Sequence, residues 1–124
     1  MRAIKLVTNT IDIPFVDEKE KVLFTLHFDR TDENKKRLMK SFEELDQKMN
    51  ELTAKGEDAV TIDEAVDFLK DTTDKLLGKG SFDKMYEANP SFEIVAKYLY
   101  QIMIGIKEEF EEEDLKAVES KYLG

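Results

Sequence analysis

The chain has 124 residues, of which 41% are hydrophobic and 38% charged, and its formal net charge is −9. This length suits a single domain that buries its own core, and the absence of cysteine excludes disulfides, thiolate metal sites and cysteine nucleophiles. There is no apolar run of membrane-spanning length and no signal-peptide pattern. We therefore predict a cytoplasmic protein that does not bind membranes.

The negative charge is concentrated in two segments. Residues 57–80 carry seven acidic and three basic side chains, and residues 108–124 carry seven acidic and two basic ones, while the rest of the chain is balanced. Contacts to a nucleic-acid backbone need clustered lysine and arginine. Direct recognition of DNA or RNA is thus disfavoured.

The N-terminal quarter alternates apolar and polar residues with the period of a β-strand. Two such runs, centred on Ile13 and on Leu26, are separated by the polar residues 17–20 and predict a β-hairpin. The segment Ile4–Val7 is predicted to add a third strand, turned at Asn9. Pro14 cannot donate a ladder hydrogen bond, so its strand is expected to be an edge strand or to carry a bulge. An open edge can pair with another chain, which leaves self-association or partner binding there open.

Two amphipathic helices are predicted to follow the hairpin. The first is capped by Thr31 or Asp32, continues to about Ala54 and ends at Gly56. Its apolar positions step by three and four along the chain and are Leu38, Phe42, Leu45, Met49 and Leu52. The second begins at a capping box, Thr61 to Glu64, and ends at Gly78. Its predicted inner face is Ile62, Ala65, Val66, Leu69, Thr73, Leu76 and Leu77.

A short and a long helix complete the prediction. Ser81 is expected to cap a short helical turn, and Pro90 to occupy the first position of the long helix. The core face of the long helix is Phe92, Val95, Leu99, Ile102, Ile106 and Phe110. Gly105, inside this helix, indicates either close approach by a neighbouring element or a weak spot that costs about 1 kcal/mol relative to alanine. Acidic residues oppose the helix dipole, so fraying or a break is expected around residues 112–114.

These elements predict an α+β fold: an N-terminal β-hairpin or small three-stranded antiparallel sheet, followed by a bundle of about four helices. The chain reads as one domain, residues 1–124. Within it, residues 1–30 form the sheet, residues 31–110 the helical body, and residues 111–124 an acidic tail that is free or forms a short helix.

Little in the sequence indicates catalysis. His27 is the only histidine and falls in the polar register of a strand, where a solvent-facing role explains it. The acidic run near the C-terminus lacks the spacing of a calcium loop and is typical of a solvated surface. The stretch Gly78–Ser81 lacks the upstream glycine of a phosphate loop and follows a helix rather than a strand. We predict no catalytic residue, no cofactor and no metal.

The long helix carries more apolar residues than one buried face needs. Ile94, Tyr98, Tyr100, Met103 and Ile104 extend around its circumference. Such a helix must be buried on two sides, by its own domain or by a partner. The candidates for partner contact flank the main stripe and are Tyr86, Tyr98, Met103 and Phe110; for each, core packing is the competing interpretation.

The order of elements and one motif resemble a known family. A short β-hairpin leads through an acidic turn to a helical body, which contains Gly80-Ser81-Phe82-Asp83-Lys84-Met85-Tyr86, then Asn89-Pro90-Ser91, then a long apolar helix with a Glu-rich end. This arrangement resembles the tail assembly chaperones of long-tailed phages and prophages of Gram-positive bacteria.

The resemblance implies a small, non-enzymatic protein in the cytoplasm of the bacterial host. It would coat or escort the tape measure protein while tail-tube subunits polymerise around it. The tail-tube protein is a further candidate partner, and self-association into a homo-oligomer is left open. The physical expectation is that an apolar groove shields helical segments of the tape measure protein and that net negative charge keeps the complex in solution.

Two other functions compete with this one. An acidic inhibitor that mimics nucleic acid and blocks a DNA-binding host protein would account for the net charge. A small enzyme that uses carboxylates with a bound hard metal ion would account for the acidic residues near the C-terminus. Fold alone does not discriminate among these functions.

Overall fold

The computed structural model describes the backbone of residues 1–56 and 58–123, and the side chains of residues 1–56 and 58–112. Two strands, β1 (Thr10–Val16) and β2 (Val22–Asp29), precede four helices. The helices are α1 (Asp32–Lys55), α2 (Ala59–Leu77), α3 (Ser81–Ala88) and α4 (Phe92–Leu123). The predicted α+β class, a β-hairpin followed by four helices, is confirmed.

The sheet has only two strands, which pair antiparallel with Ile11 opposite Phe28 and Ile13 opposite Leu26. The prediction of a third strand at Ile4–Val7 is wrong. The chain does not reverse at Asn9, because the Asn9 carbonyl accepts a hydrogen bond from the Arg30 backbone N–H at 2.8 Å. Asn9 therefore extends β1 in line instead of forming a turn.

The same hydrogen bond explains why Pro14 is tolerated. Hydrogen-bonded pairs alternate along an antiparallel ladder. Since Asn9 is hydrogen-bonded to Arg30, the next bonded positions on β1 are Ile11 and Ile13, and Pro14 belongs to the alternate set that faces away from β2. Its missing N–H costs no ladder bond, and the expectation of an edge strand at Pro14 is confirmed.

The observed helix boundaries match the predicted ones at some ends and differ from them at others. Thr31 caps α1 as predicted, with its Oγ1 accepting from the Asn34 N–H at 3.1 Å, and Gly56 ends it. The predicted capping box at Thr61 is wrong. Asp58 caps α2 instead, accepting from the Thr61 N–H at 2.8 Å, so the helix begins earlier, at Ala59. A carboxylate satisfies the free amides at a helix start as well as a threonine does.

Two further predicted starts are displaced by one or two residues. Gly80, not Ser81, is the N-cap of α3; the Ser81 hydroxyl donates back to the Leu77 carbonyl at 3.2 Å. Pro90 precedes α4 rather than opening it, because Ser91 provides the cap: its carbonyl accepts from the Val95 N–H at 3.0 Å. At the other end, α4 continues through Leu123. The predicted break around residues 112–114 is therefore wrong.

One core holds the sheet and helices together. The fully buried side chains come from every element except β1 and include Phe28, Leu45, Leu69, Phe82, Met85 and Leu99. Val95, Leu99, Ile102 and Ile106 confirm the predicted inner face of α4, while Phe92 and Phe110 at its ends are half-buried. On α2 the prediction holds except at Ile62, which is exposed.

Candidate functional site

Helices α1 and α4 lie antiparallel, and two apolar depressions open between them. The start of α1 faces the later part of α4, and the end of α1 faces the first turns of α4. Between Phe92 and Phe110, α4 rises about 27 Å at 1.5 Å per residue. The two depressions thus lie at opposite ends of a contact about five helical turns long.

The first depression, the Phe110 pocket, has a volume of about 430 Å³. Its floor is apolar and its rim is charged; the lining residues are Leu38, Met39, Phe42 and Phe110 on the floor and Lys35, Lys107 and Glu111 on the rim. The Lys35 ammonium lies 4.9 Å from the centre of the Phe110 ring, within cation–π distance. Lys107 lies 3.9 Å from the Glu111 carboxylate. The rim therefore carries an excess of positive charge in a strongly acidic protein.

The second depression, the Tyr100 pocket, has a volume of about 360 Å³. Met49, Leu52, Phe92, Ala96 and Tyr100 contribute apolar surface, and Glu93 and Lys97 balance each other in charge. Burial, followed by the nearby negative charge of Asp46, raises the pKa of the Tyr100 phenol above its usual value. Both causes favour the neutral phenol, which can donate a hydrogen bond within an otherwise apolar surface.

Exposed apolar side chains lie along the same two helices. Ile104 follows Tyr100 by four residues and precedes Lys107 by three, so it lies on the same stripe of α4 between the pockets. Its side chain is 48% exposed, and that of Met39 on α1 is 68% exposed. We call this surface the α1–α4 groove; it consists of Met39, Phe42, Met49, Tyr100, Ile104 and Phe110.

Of the four residues predicted to contact a partner, only Phe110 lies in the α1–α4 groove. Met103 is fully buried in the core, where a partner cannot reach it. Tyr98 packs edge-on against Phe15 of β1, with ring centres 5.6 Å apart. Tyr86 stacks on Phe82 within α3, with ring centres 5.2 Å apart.

Sequence reasoning assigned most of the groove residues to the core or left them unassigned. Phe42 and Met49 belong to the apolar repeat of α1, yet both are only half-buried. Tyr100 and Ile104 were recognised as surplus to the core face of α4 but were not chosen as contact residues. The sequence does not give the packing angle between α1 and α4. That angle decides which residues at the margin of each apolar face remain exposed to solvent.

The structure offers little that resembles a catalytic centre within the described residues. His27 Nδ1 lies 2.8 Å from Asp12 Oδ1, a cross-strand pair on the outer face of the hairpin where both side chains are exposed. Among residues whose side chains are described, no group of three or more His, Cys, Asp or Glu could hold a metal ion. No helix within residues 1–56 and 58–123 is both long enough and apolar enough to cross a membrane.

Comparison with protein-family models matches residues 20–124 to DUF6673, described as a family of unknown function. The chain belongs to this family. The match covers β2 and all four helices, and hence both walls of the α1–α4 groove. Neither the curated proteins nor the solved structures contain a match.

Proposed function

We propose that this member of DUF6673 is a non-enzymatic chaperone that binds an apolar helical segment of another protein in the α1–α4 groove. The observation that carries the proposal is the groove itself: two apolar pockets between the same two helices, with exposed Met39 lining one of them and exposed Ile104 on the α4 stripe between them. A groove between two helices about 27 Å long accommodates one face of an amphipathic helix of five turns.

The preferred partner is the tape measure protein of a long-tailed phage, bound in the host cytoplasm during tail assembly. This identity rests on the resemblance of the Gly80–Tyr86 and Asn89–Ser91 stretches and of the element order. A tape measure protein offers long helices whose apolar faces lack a partner until the tail tube encloses them. Those are the segments that a groove of this kind would cover, and the tail-tube protein remains a second candidate partner.

The charges on α2 and α3 suit this role better than that of a nucleic-acid mimic. Lysines neutralise acidic side chains there: Lys75 Nζ lies 2.9 Å from Asp71 Oδ2 within α2, and Lys70 Nζ of α2 lies 3.2 Å from Asp83 Oδ1 of α3. A surface that imitates a phosphate backbone needs unneutralised, regularly spaced negative charge. The acidic inhibitor is therefore the less supported alternative.

Co-expression with the tape measure protein encoded by the same phage, followed by light scattering on the purified complex, tests the proposal. Wild-type protein should keep the partner soluble, with several copies bound to each tape measure chain. The double variant Met39→Asp/Ile104→Asp should weaken binding at least tenfold, because both charges would be desolvated at the contact. Both residues are exposed, so the fold should be unaffected.

Val60→Asp is the matched control. Val60 is 67% exposed, close to the 68% of Met39, but it lies at the start of α2 outside the groove. It should bind like the wild type. Equal binding by the groove variant and the control would reject the groove, and an insoluble partner with wild-type protein eluting alone would reject the chaperone.

A further inference from the structure

The nine residues before β1, which we call the N-terminal arm, have no regular secondary structure and are exposed throughout. Ile4, Leu6 and Val7 are between 79% and 94% exposed. Three large apolar side chains within four residues form a patch that soluble proteins normally cover. Among the residues that the structure describes, Asn9 is the one arm residue hydrogen-bonded to the body, through its carbonyl and Arg30.

The open edge of β1 offers a matching surface. Because Ile11 and Ile13 are hydrogen-bonded to β2, the backbone groups of Thr10 and Asp12 and the carbonyl of Pro14 face outward. Beside this edge is a depression of about 270 Å³ between the hairpin and α4, lined by residues 13–16 and by Tyr98, Gln101 and Ile102. An added strand would extend the sheet next to this depression.

We propose that the arm of one copy pairs with the β1 edge of a second copy, and the reverse, so that a two-fold symmetric dimer forms around a continuous four-stranded sheet. Since Asn9 extends β1 in line, an arm that takes up the strand conformation on binding would continue its own β1. A two-fold axis beside the junction of arm and β1 places each arm antiparallel to the β1 edge of the other copy. Both arms are then paired, so the interface is complete in a dimer.

Charge complementarity favours a second copy as the occupant. Residues 1–9 carry two basic side chains, Arg2 and Lys5, and no acidic one, whereas residues 10–124 carry 17 basic and 28 acidic side chains. The antiparallel direction brings the start of the arm towards the hairpin turn, where residues 17–21 carry three acidic and two basic side chains. The basic arm of one copy therefore meets a turn of the other with a net charge of −1.

The alternation of the ladder restricts the register. The outward backbone groups on β1 belong to even-numbered residues. An even-numbered arm residue must therefore lie opposite an even-numbered β1 residue for hydrogen bonds to form between the two chains. One such register places Ile4 opposite Val16, Leu6 opposite Pro14 and Val7 opposite Ile13, so all three exposed apolar residues meet apolar partners. It also brings Arg2 towards the hairpin turn that follows Val16. In this register the two-fold axis passes beside Thr10.

Analytical ultracentrifugation over a concentration series tests the dimer. Wild-type protein should dimerise, and Ile4→Asp/Leu6→Asp should raise the dimer dissociation constant at least tenfold. Val60→Asp should not change it. A wild-type protein that stays monomeric, or a double variant that dimerises like the control, would overturn the proposal.

A cysteine cross-link tests the register. The described chain has no free cysteine, so an introduced one reports only on itself. Opposed residues of a bonded pair have Cα atoms about 5.5 Å apart, within disulfide range. Thr10→Cys should give a disulfide-linked dimer on oxidation, and Lys19→Cys in the hairpin turn should not. Absence of the Thr10→Cys dimer, or equal linkage of both variants, contradicts this pairing.

The outcome is independent of the chaperone proposal. The arm and the β1 edge lie outside the α1–α4 groove, so Ile4→Asp/Leu6→Asp should still bind the tape measure protein. Conversely, Met39→Asp/Ile104→Asp should still dimerise. A negative result for the dimer therefore does not affect the test of the chaperone proposal, and a negative result for the chaperone does not affect the test of the dimer.

Discussion

The ring of Phe28 meets the ring of Phe110 edge to face, with centroids 6.1 Å apart and ring planes at 77°. Phe28 ends the inward face of β2 and is fully buried, whereas Phe110 is half-buried at the edge of the α1–α4 groove. The pair ties the base of the hairpin to α4 and shapes the wall of the Phe110 pocket. The packing contact and the proposed binding surface thus share the Phe110 side chain.

Phe28→Ala should lower the free energy of unfolding by about 3–5 kcal/mol, because it removes a fully buried ring and leaves a cavity. Phe110→Ala should cost less, since its ring is partly exposed. The double variant should show a coupling of about 0.5–1.5 kcal/mol between the two rings. Urea denaturation of the wild type, the two single variants and the double variant measures this coupling energy. Strictly additive effects on the free energy of unfolding would contradict a direct ring–ring contact.

Gly105→Ala should raise the free energy of unfolding by about 1 kcal/mol, the usual gain for replacing glycine by alanine inside a helix. A Cβ atom at this position meets no atom within 4 Å, so nothing opposes the substitution. The sequence left two interpretations of Gly105 open. Close approach by a neighbouring element is excluded, so Gly105 is a position where glycine weakens the helix. Gly78→Ala is the control: it should destabilise, because Gly78 has a φ of +104°. Destabilisation by Gly105→Ala would contradict the structure.

Asp58→Asn should remove a pH dependence while keeping a helix cap. Hydrogen bonds from the Thr61 backbone and hydroxyl lower the pKa of the Asp58 carboxyl below its usual 3.8. The folded state therefore binds a proton less readily than the unfolded state, so this stabilisation is present above about pH 3.8 and is lost as pH falls through the lower folded pKa. Denaturation at neutral and strongly acidic pH should show the difference between wild type and variant shrinking in acid. A constant difference would reject the cap.

Tyr100 should titrate above an ordinary tyrosine, because burial and the charge of Asp46 raise the pKa of its phenol. Ultraviolet difference titration against Tyr100→Phe isolates this phenol from the other tyrosines. Asp46→Asn should lower the pKa by removing the second cause, and a helix bound in the groove should raise it by excluding more water. Since the folded state holds this proton more tightly, stability should fall as pH rises above about 10. A phenol that titrates normally would place Tyr100 in open solvent.

Local chemistry predicted much of the fold. The alternation around Ile13 and Leu26 was sufficient for the hairpin, and Pro14 correctly indicated an edge. The apolar repeats through Leu45, Leu69 and Leu99 identified three helices and their inner faces. These signals depend on periodicity within one element, which the sequence displays directly.

The predictions were wrong where more than one residue could play the same structural role, such as capping a helix, or where tertiary packing decides the outcome. Asp58 and Thr61 can each cap α2, and only packing of the α1–α2 turn decides between them. The acidic residues 112–114 suggested a break, but α4 continues to Leu123. They therefore lie about two to three turns before its end, where the helix dipole no longer opposes them. Met103 and Ile104 are adjacent and similarly apolar, yet one is buried and the other exposed. Their difference depends on the rotation of α4 against its neighbours, a tertiary property.

The last helix supplies a large share of the core, and ribosomes deliver chains from the N-terminus at about 5–20 residues per second. Before Val95–Ile106 leave the ribosome, the hairpin and the first helices lack the buried surface that α4 provides. The α1–α4 groove also lacks one wall until then. Binding in the α1–α4 groove, the function proposed above, should therefore become possible in one step, only after α4 has left the ribosome.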